Sequence, residues 1–131
     1  MLHIKPQLAA MKGINAYSEN GALDKEYFHV EGKKFLRDLA KEIGIPSSEY
    51  DIRSNKGGMA VSGEVTLHAD RLYVQLYESA IAPGVSILFR SCKSRGDYTG
   101  GQNFHESLPF LFTSSLERAE FVTRLRSLGG Y

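Results

Sequence analysis

Residues 59–77 read MAVSGEVTLHADRLYVQLY, and they contain two runs in which apolar and polar residues alternate. Such alternation is typical of a β-strand with one buried face and one solvated face. The two runs flank the dipeptide Ala69-Asp70, which we interpret as the turn of a β-hairpin. This turn pairs apolar residues on a single face, namely Leu67 with Leu72 and Val65 with Val74.

Further strands are predicted on both sides of this hairpin. Residues 50–53 alternate in the same way and precede Gly57-Gly58, a tight-turn signal that places Ile52 opposite Gly63. Residues 85–92 alternate again and predict a fourth strand. Its apolar side adds three residues to the buried face, namely Val85, Ile87 and Phe89.

A helix is predicted before these strands. Its apolar residues recur at helical spacing and are Phe35, Leu36, Leu39, Ala40 and Ile43. Gly44 followed by Pro46 is typical of a helix end. Two starts are open: Asp24 as the cap, or a start near Glu31 after a short strand, because residues 27–30 favour β-structure.

A final helix is predicted from Ser114 or Ser115 to Gly129-Gly130. Its apolar stripe consists of Leu116, Phe121, Leu125 and Leu128. Residues 1–23 lack a pattern and are predicted to form an irregular or partly ordered arm. The sequence therefore predicts one α+β domain over residues 1–131, with a four-stranded antiparallel meander at about 48–92 and the two helices packed on one face.

Composition excludes several classes of protein. The 131 residues carry a net charge of +1, so the large basic excess of many nucleic-acid and membrane-surface proteins is absent. Cys92 is the single cysteine, which excludes an intramolecular disulfide and favours a reducing cytoplasm. The sequence predicts no signal peptide and no apolar run long enough to span a membrane. The four histidines lack paired spacing, and neither a metal nor a cofactor is predicted.

The polar face of the predicted sheet is the first candidate for function, together with the glycine-containing loop 90–101, whose local charge is +2. Tyrosine rings stack on bases, and arginines hold phosphates. The candidate contact residues for nucleic acid or another anionic partner are Arg53, Tyr73, Tyr77, Arg90, Lys93, Arg95 and Tyr98. We expect Arg90 beside Tyr77 or one row away. The alternative is that these residues are the polar pairs of any solvated sheet and surface loop.

Catalysis is an alternative that no motif demands. The residue types of a metal-independent ribonuclease are present in Glu64, His68 or His105, Arg53 and Arg90. Glu64 and His68 lie on one face of one strand, roughly 13 Å apart. Cys92 as a nucleophile requires a histidine base that the sequence does not place, and a half-buried structural thiol is the alternative.

Three functional classes follow from these observations. The first is a small cytoplasmic, non-enzymatic binding protein that contacts nucleic acid or another anionic partner. The second is a protein-interaction module or dimer, formed through the sheet face or a strand edge. The third is the ribonuclease. The net charge near zero disfavours the first and third classes relative to the second, whereas the tyrosines and arginines grouped on one face favour them. Because no catalytic motif is present, the two binding classes are favoured over catalysis.

Overall fold

A computed structural model describes residues 2–11, 21–56, 63–78 and 84–131. The elements in chain order are α1 (Pro6–Ala10), α2 (Gly21–Ile43), a 3-10 turn (Ser47–Glu49), β1 (Tyr50–Asn55), β2 (Glu64–Ala69), β3 (Leu72–Glu78), β4 (Val85–Ser91), β5 (Phe104–Ser107), α3 (Leu108–Thr113) and α4 (Ser115–Gly129). The chain forms a single α+β domain, as the sequence predicts.

The sheet is an antiparallel meander in the order β1-β2-β3-β4-β5. It has one strand more than predicted, because residues 104–107 pair with β4. This strand is four residues long and turns directly into α3, so its alternation is too short to be recognised in the sequence.

One face of the sheet is buried beneath α2 and α4. The side chains of Val65, Val74 and Phe89 are each at most 1% exposed, which confirms the predicted apolar face. Gly32 of α2 lies directly above Val65, where an added Cβ would stand 3.1 Å from a valine methyl carbon. Phe121 of α4 packs edge-on against Phe89. Burial of this apolar layer is the main stabilising term of the fold.

Helix α2 begins before both of the predicted starts. It runs from Gly21 to Ile43 without interruption, so the suggested strand at residues 27–30 does not form. Phe28 and His29 in this stretch are almost completely buried, and their packing overrides the local β preference. The predicted helix end at Gly44 is confirmed: Gly44 adopts φ +96°, and the Ile45 amide donates to the carbonyl of Ala40.

The N-terminal arm, predicted to be irregular or partly ordered, is packed against the core in its first part. Leu2, Ile4 and Leu8 are at most 3% exposed and belong to the hydrophobic core. Pro6 at the first turn starts the short helix α1, which packs beside α3 and β4. Five residues are too few to show a helical period in their apolar residues, so α1 was not predicted from the sequence.

The predicted pairing of β2 with β3 is wrong by two residues. Val65 lies opposite Leu76 instead of Val74, and Leu67 lies opposite Val74. The turn is therefore at Asp70-Arg71 and not at Ala69-Asp70. A slip of two residues returns each side chain to its own face, which is why the face assignment is still correct.

The predicted pairing of β1 with β2 is wrong by four residues. Ile52 lies opposite Leu67 instead of Gly63. The predicted turn at Gly57-Gly58 lies outside the described residues. This slip is also even, so Ile52 keeps its predicted face.

The predicted cap and end of helix α4 are confirmed. The Ser114 side chain accepts a hydrogen bond from the Glu117 amide, and Gly130 adopts φ +70°. The predicted apolar stripe is wrong at one position, because Leu116 is 65% exposed. Only the residues one or more turns further along reach the sheet, among them Phe121 and Leu125.

Candidate functional site

The face of the sheet opposite to α2 and α4 carries side chains in three rows. The first row consists of Asp51, His68, Tyr73 and Arg90, the second of Arg53, Thr66, Gln75, Leu88 and His105, and the third of Asn55, Glu64, Tyr77, Ser86 and Ser107. Arg90 is therefore two rows from Tyr77, which corrects the expectation that it lies beside Tyr77 or one row away. The alternation within each strand places these side chains together.

The loop that follows β4 folds over the first row. A tight turn at Ser94–Asp97 is closed by a hydrogen bond from the Asp97 amide to the Ser94 carbonyl, and Gly96 supplies its positive φ of +86°. The chain then places the Tyr98 ring edge-on against Tyr73, with 4.9 Å between centroids. We call the resulting group the loop–sheet cluster: Asp51, His68, Asp70, Tyr73, Arg90, Arg95 and Tyr98.

His68 is held between two hydroxyl groups. Its Nδ1 lies 2.8 Å from the Tyr98 hydroxyl, and its Nε2 lies 2.9 Å from the Thr66 hydroxyl. The Thr66 hydroxyl donates to the Arg53 carbonyl, so its oxygen accepts from Nε2–H and the Tyr98 hydroxyl donates to Nδ1. Burial lowers the pKa of His68 below its ordinary value, and the Arg53 guanidinium adds to this shift, so the neutral ring is favoured.

Arg90 is bound within the protein. Its guanidinium donates to the Tyr98 carbonyl and, over 3.1 Å, to Oδ1 of Asn103. It also lies over the Tyr98 ring, 5.6 Å from the centroid. Gly101 packs so closely against the guanidinium that a side chain there would collide with it. Arg90 therefore anchors the loop to the sheet.

Arg95 is paired with two carboxylates. It donates to Asp70 over 3.1 Å and to Asp51 over 3.2 Å, and its side chain is only 28% exposed. These two aspartates were not identified as partners from the sequence, since Asp51 is 44 residues away along the chain. The positive charge that Arg95 adds to the loop is therefore largely neutralised by these two carboxylates.

The tyrosines of the cluster are uncharged. Burial raises the pKa of Tyr73 to about 12, and it also raises the pKa of Tyr98. The Tyr73 hydroxyl donates to Oε1 of Gln75 over 2.7 Å. The Tyr98 ring stands edge-on against Tyr73, and the Arg90 guanidinium lies over the Tyr98 ring, so these contacts restrict the stacking of a base on either ring.

The remaining predicted contact residues lie apart from this cluster or at its rim. Tyr77 is in the third row, where its hydroxyl lies 3.2 Å from Nδ1 of His105. Arg53 has a side chain that is 61% exposed, and it faces Asp51 at 3.8 Å. Lys93 is exposed on the loop. The structure thus brings together Tyr73, Arg90, Arg95 and Tyr98, but it uses most of their polar groups internally.

The catalytic alternatives find little support in this geometry. Both ring nitrogens of His68 are already bound to hydroxyls, which leaves none for a substrate. Glu64 lies in the third row, two rows from His68. Burial raises the pKa of the Cys92 thiol, whose Sγ lies 3.5 Å from the Ala69 carbonyl oxygen, so the thiol form is favoured over the nucleophilic thiolate.

Within the described ranges, no three histidine, cysteine or acidic side chains are grouped as a metal site. None of the helices among these residues has the length and apolar character needed to cross a membrane.

The middle of the same face is left uncovered by the loop. We call it the open sheet face; its residues are Gln75, Tyr77, Ser86, Leu88 and His105. All except the exposed His105 are half-buried, and none is lysine, arginine, aspartate or glutamate. Leu88 was assigned to the polar face from the sequence but was not recognised as a functional candidate. The sequence feature that could have identified Leu88 is an apolar residue at a strand position where alternation predicts a polar one.

No protein-family model, curated protein or solved structure matches this chain.

Proposed function

We propose that this chain is a non-enzymatic binding protein whose open sheet face contacts a partner protein. The observation that carries this proposal is the uncharged character of that face, which no described helix covers. Glu64 of β2 lies opposite Tyr77 at the border of this face, and Arg53 of β1 lies one strand further out than Thr66, which is opposite Gln75. An uncharged centre containing tyrosine and leucine, bordered by charged residues, is typical of protein–protein interfaces.

The same face is held rigid in the free protein. Tyr73 fixes the Gln75 side chain by a 2.7 Å hydrogen bond, and Tyr77 is joined to His105. Side chains already fixed in position lose less conformational entropy when a partner binds. The loop–sheet cluster next to it serves as a structural support, because His68, Arg90 and Arg95 direct most of their polar groups to partners within the chain.

Nucleic acid is the competing candidate for the same region. It is favoured by the exposed cations Arg53 and Lys93. It is disfavoured because Arg95 is paired with two aspartates and Arg90 is bound to backbone and amide oxygens. Few cations are left to neutralise phosphates, and phosphate contacts dominate nucleic-acid affinity. The single cysteine also leads us to infer a cytoplasmic protein.

The proposal can be tested by site-specific photo-cross-linking in the cells that make this protein. Leu88→p-benzoylphenylalanine places the probe in the open sheet face, and Thr123→p-benzoylphenylalanine places it on exposed α4 as a matched control. A third probe replaces Phe112, whose 40% exposed ring belongs to a different apolar surface. Adducts are separated by mass and identified by mass spectrometry, with and without nuclease treatment.

We expect one nuclease-resistant protein adduct from position 88, which a Tyr77→Ala substitution weakens, and none from position 123. A nuclease-sensitive adduct at position 88 would favour the nucleic-acid candidate. Adducts from position 112 alone would move the interface to α3 and contradict the proposal.

A further inference from the structure

We propose that the exposed edge of β1 pairs with β1 of a second copy of this chain, in antiparallel register centred on Ile52. This inference goes beyond the proposed function, because it concerns the strand edge and not the sheet face. In the sheet order β1 is terminal, and among the described residues no strand pairs with its outer side. An unpaired strand edge offers a row of backbone donors and acceptors to another strand.

The register follows from the charges along the edge. Centring the pair on Ile52 places it opposite Ile52 of the second copy, and each Asp51 opposite the Arg53 of the other copy. Both charged residues lie on the same face of the sheet, since they are two positions apart in one strand. Opposite charges in directly facing cross-strand positions stabilise a pair of strands, whereas like charges destabilise it. The two-fold symmetry produces this contact twice.

Exposure at the edge agrees with this arrangement. The side chains of Asp51 and Arg53 are 51% and 61% exposed, so both are accessible at the edge, where Oδ2 of Asp51 also accepts from Arg95. Within one copy they stand 3.8 Å apart, which is long for an ion pair. Ile52 is on the opposite, apolar face and is only half-buried. Pairing would bury it against its symmetry mate and join the two sheets into one.

The other edge of the sheet offers no comparable match. β5 has four residues and runs directly into α3. Its Glu106 side chain accepts from the following backbone amide and lies 3.9 Å from Arg124 of α4. Charged residues at an edge normally discourage pairing. On β1 the negative charge of Asp51 and the positive charge of Arg53 lie symmetrically about Ile52, so each faces the opposite charge when two β1 strands pair.

Charge reversal tests this register. The wild-type chain, Arg53→Asp, Asp51→Arg and their double variant are compared by sedimentation equilibrium, with Lys93→Asp as an exposed control. The monomer mass is 14.6 kDa, and the dimer has twice that mass. Each single variant places like charges opposite each other at both symmetric contacts, so we expect its dimer to be about tenfold weaker or more. The double variant restores opposite charges and should restore dimerisation.

Mixing the two single variants provides the sharpest result. Arg53→Asp faces Asp51→Arg with opposite charges at both contacts, so the mixture should form a heterodimer although neither variant dimerises well alone. Asp51→Arg also removes the ion pair between Asp51 and Arg95, so circular dichroism melting is used to check that each variant is folded. Arg53→Asp leaves that ion pair intact. A wild-type chain that is monomeric at about 100 μM would overturn the proposal. So would a dimer that is insensitive to all three variants.

Discussion

The hydroxyl of Tyr98 donates to Nδ1 of His68 over 2.8 Å and fastens the loop after β4 to the sheet. The two residues are 30 positions apart in the chain. Their contact decides which part of the polar face is covered and which part is open. The stability of this fastening can be measured without knowledge of a partner.

Tyr98→Phe should lower the free energy of unfolding by about 1 kcal/mol, because it leaves Nδ1 of a partly buried His68 without its donor. Urea unfolding followed by circular dichroism measures the change. Tyr77→Phe removes a hydroxyl that bonds a more exposed histidine, His105, and is the matched control with a smaller expected loss. Equal losses in the two variants would show that the Tyr98 hydroxyl has no special role in fastening the loop.

The free energy of unfolding should decrease as the pH falls below about 6.5, through the contribution of His68. Its pKa in the folded state is lowered by burial and by Arg53, so the unfolded chain takes up a proton first. The stabilising contribution is complete above the unfolded pKa and is lost towards acid. His68→Gln should therefore show a smaller difference in stability between about pH 7.5 and pH 5.5. A difference that His68→Gln leaves unchanged would assign the dependence to other groups.

Val65→Asp should be far more damaging than Glu64→Ala. Val65 is fully buried beneath Gly32, so an unpaired carboxylate there costs several kcal/mol. Glu64 is half-exposed on the opposite face, and its truncation should change stability by less than about 1 kcal/mol. Thermal midpoints measured by calorimetry distinguish the two. Near-equal midpoints would contradict the assignment of the faces.

Gly44→Val should cost about 1 kcal/mol or more, because Gly44 adopts a φ of +96° that a β-branched residue tolerates poorly. Beyond the two neighbouring residues, no described atom lies within 4 Å of an added Cβ, so the cost comes from the backbone and not from a clash. Gly44→Asn should lose less, since asparagine tolerates left-handed conformations better. Equal losses in urea unfolding would argue against backbone strain as the cause.

The sequence predicted the faces of the meander but not its pairing. Alternation has a period of two, so a slip of two or four residues leaves every side chain on the correct face. The register depends on the turn, and Asp70-Arg71 lacks the glycine or asparagine that would have marked it. The start of α2 was left open between Asp24 and about Glu31, because local preference in residues 27–30 favours a strand and only the burial of Phe28 decides for the helix.

The candidate site was predicted only as a set of residue types. Tyr73, Arg90 and Tyr98 lie together in the structure, since strand alternation and the following loop place them there; their role in binding stays a prediction. Their internal pairing was not predictable, because Arg95 reaches Asp51 and Asp70 through contacts distant in the chain. The open sheet face was not predictable, because its extent depends on how much of the sheet the loop after β4 covers.

The most direct test of the proposed function is the affinity of a cross-linked partner, purified separately, for variants of the open sheet face. Isothermal titration calorimetry compares the wild-type chain with Leu88→Asp and with Thr123→Asp, after thermal melting has shown that both variants are folded. A buried, unpaired charge at the centre of an interface costs several kcal/mol, so we predict that Leu88→Asp weakens binding by about a hundredfold or more. Thr123→Asp should leave the affinity unchanged. Equal affinities of the wild-type chain and Leu88→Asp would contradict the assignment of this face as the binding surface.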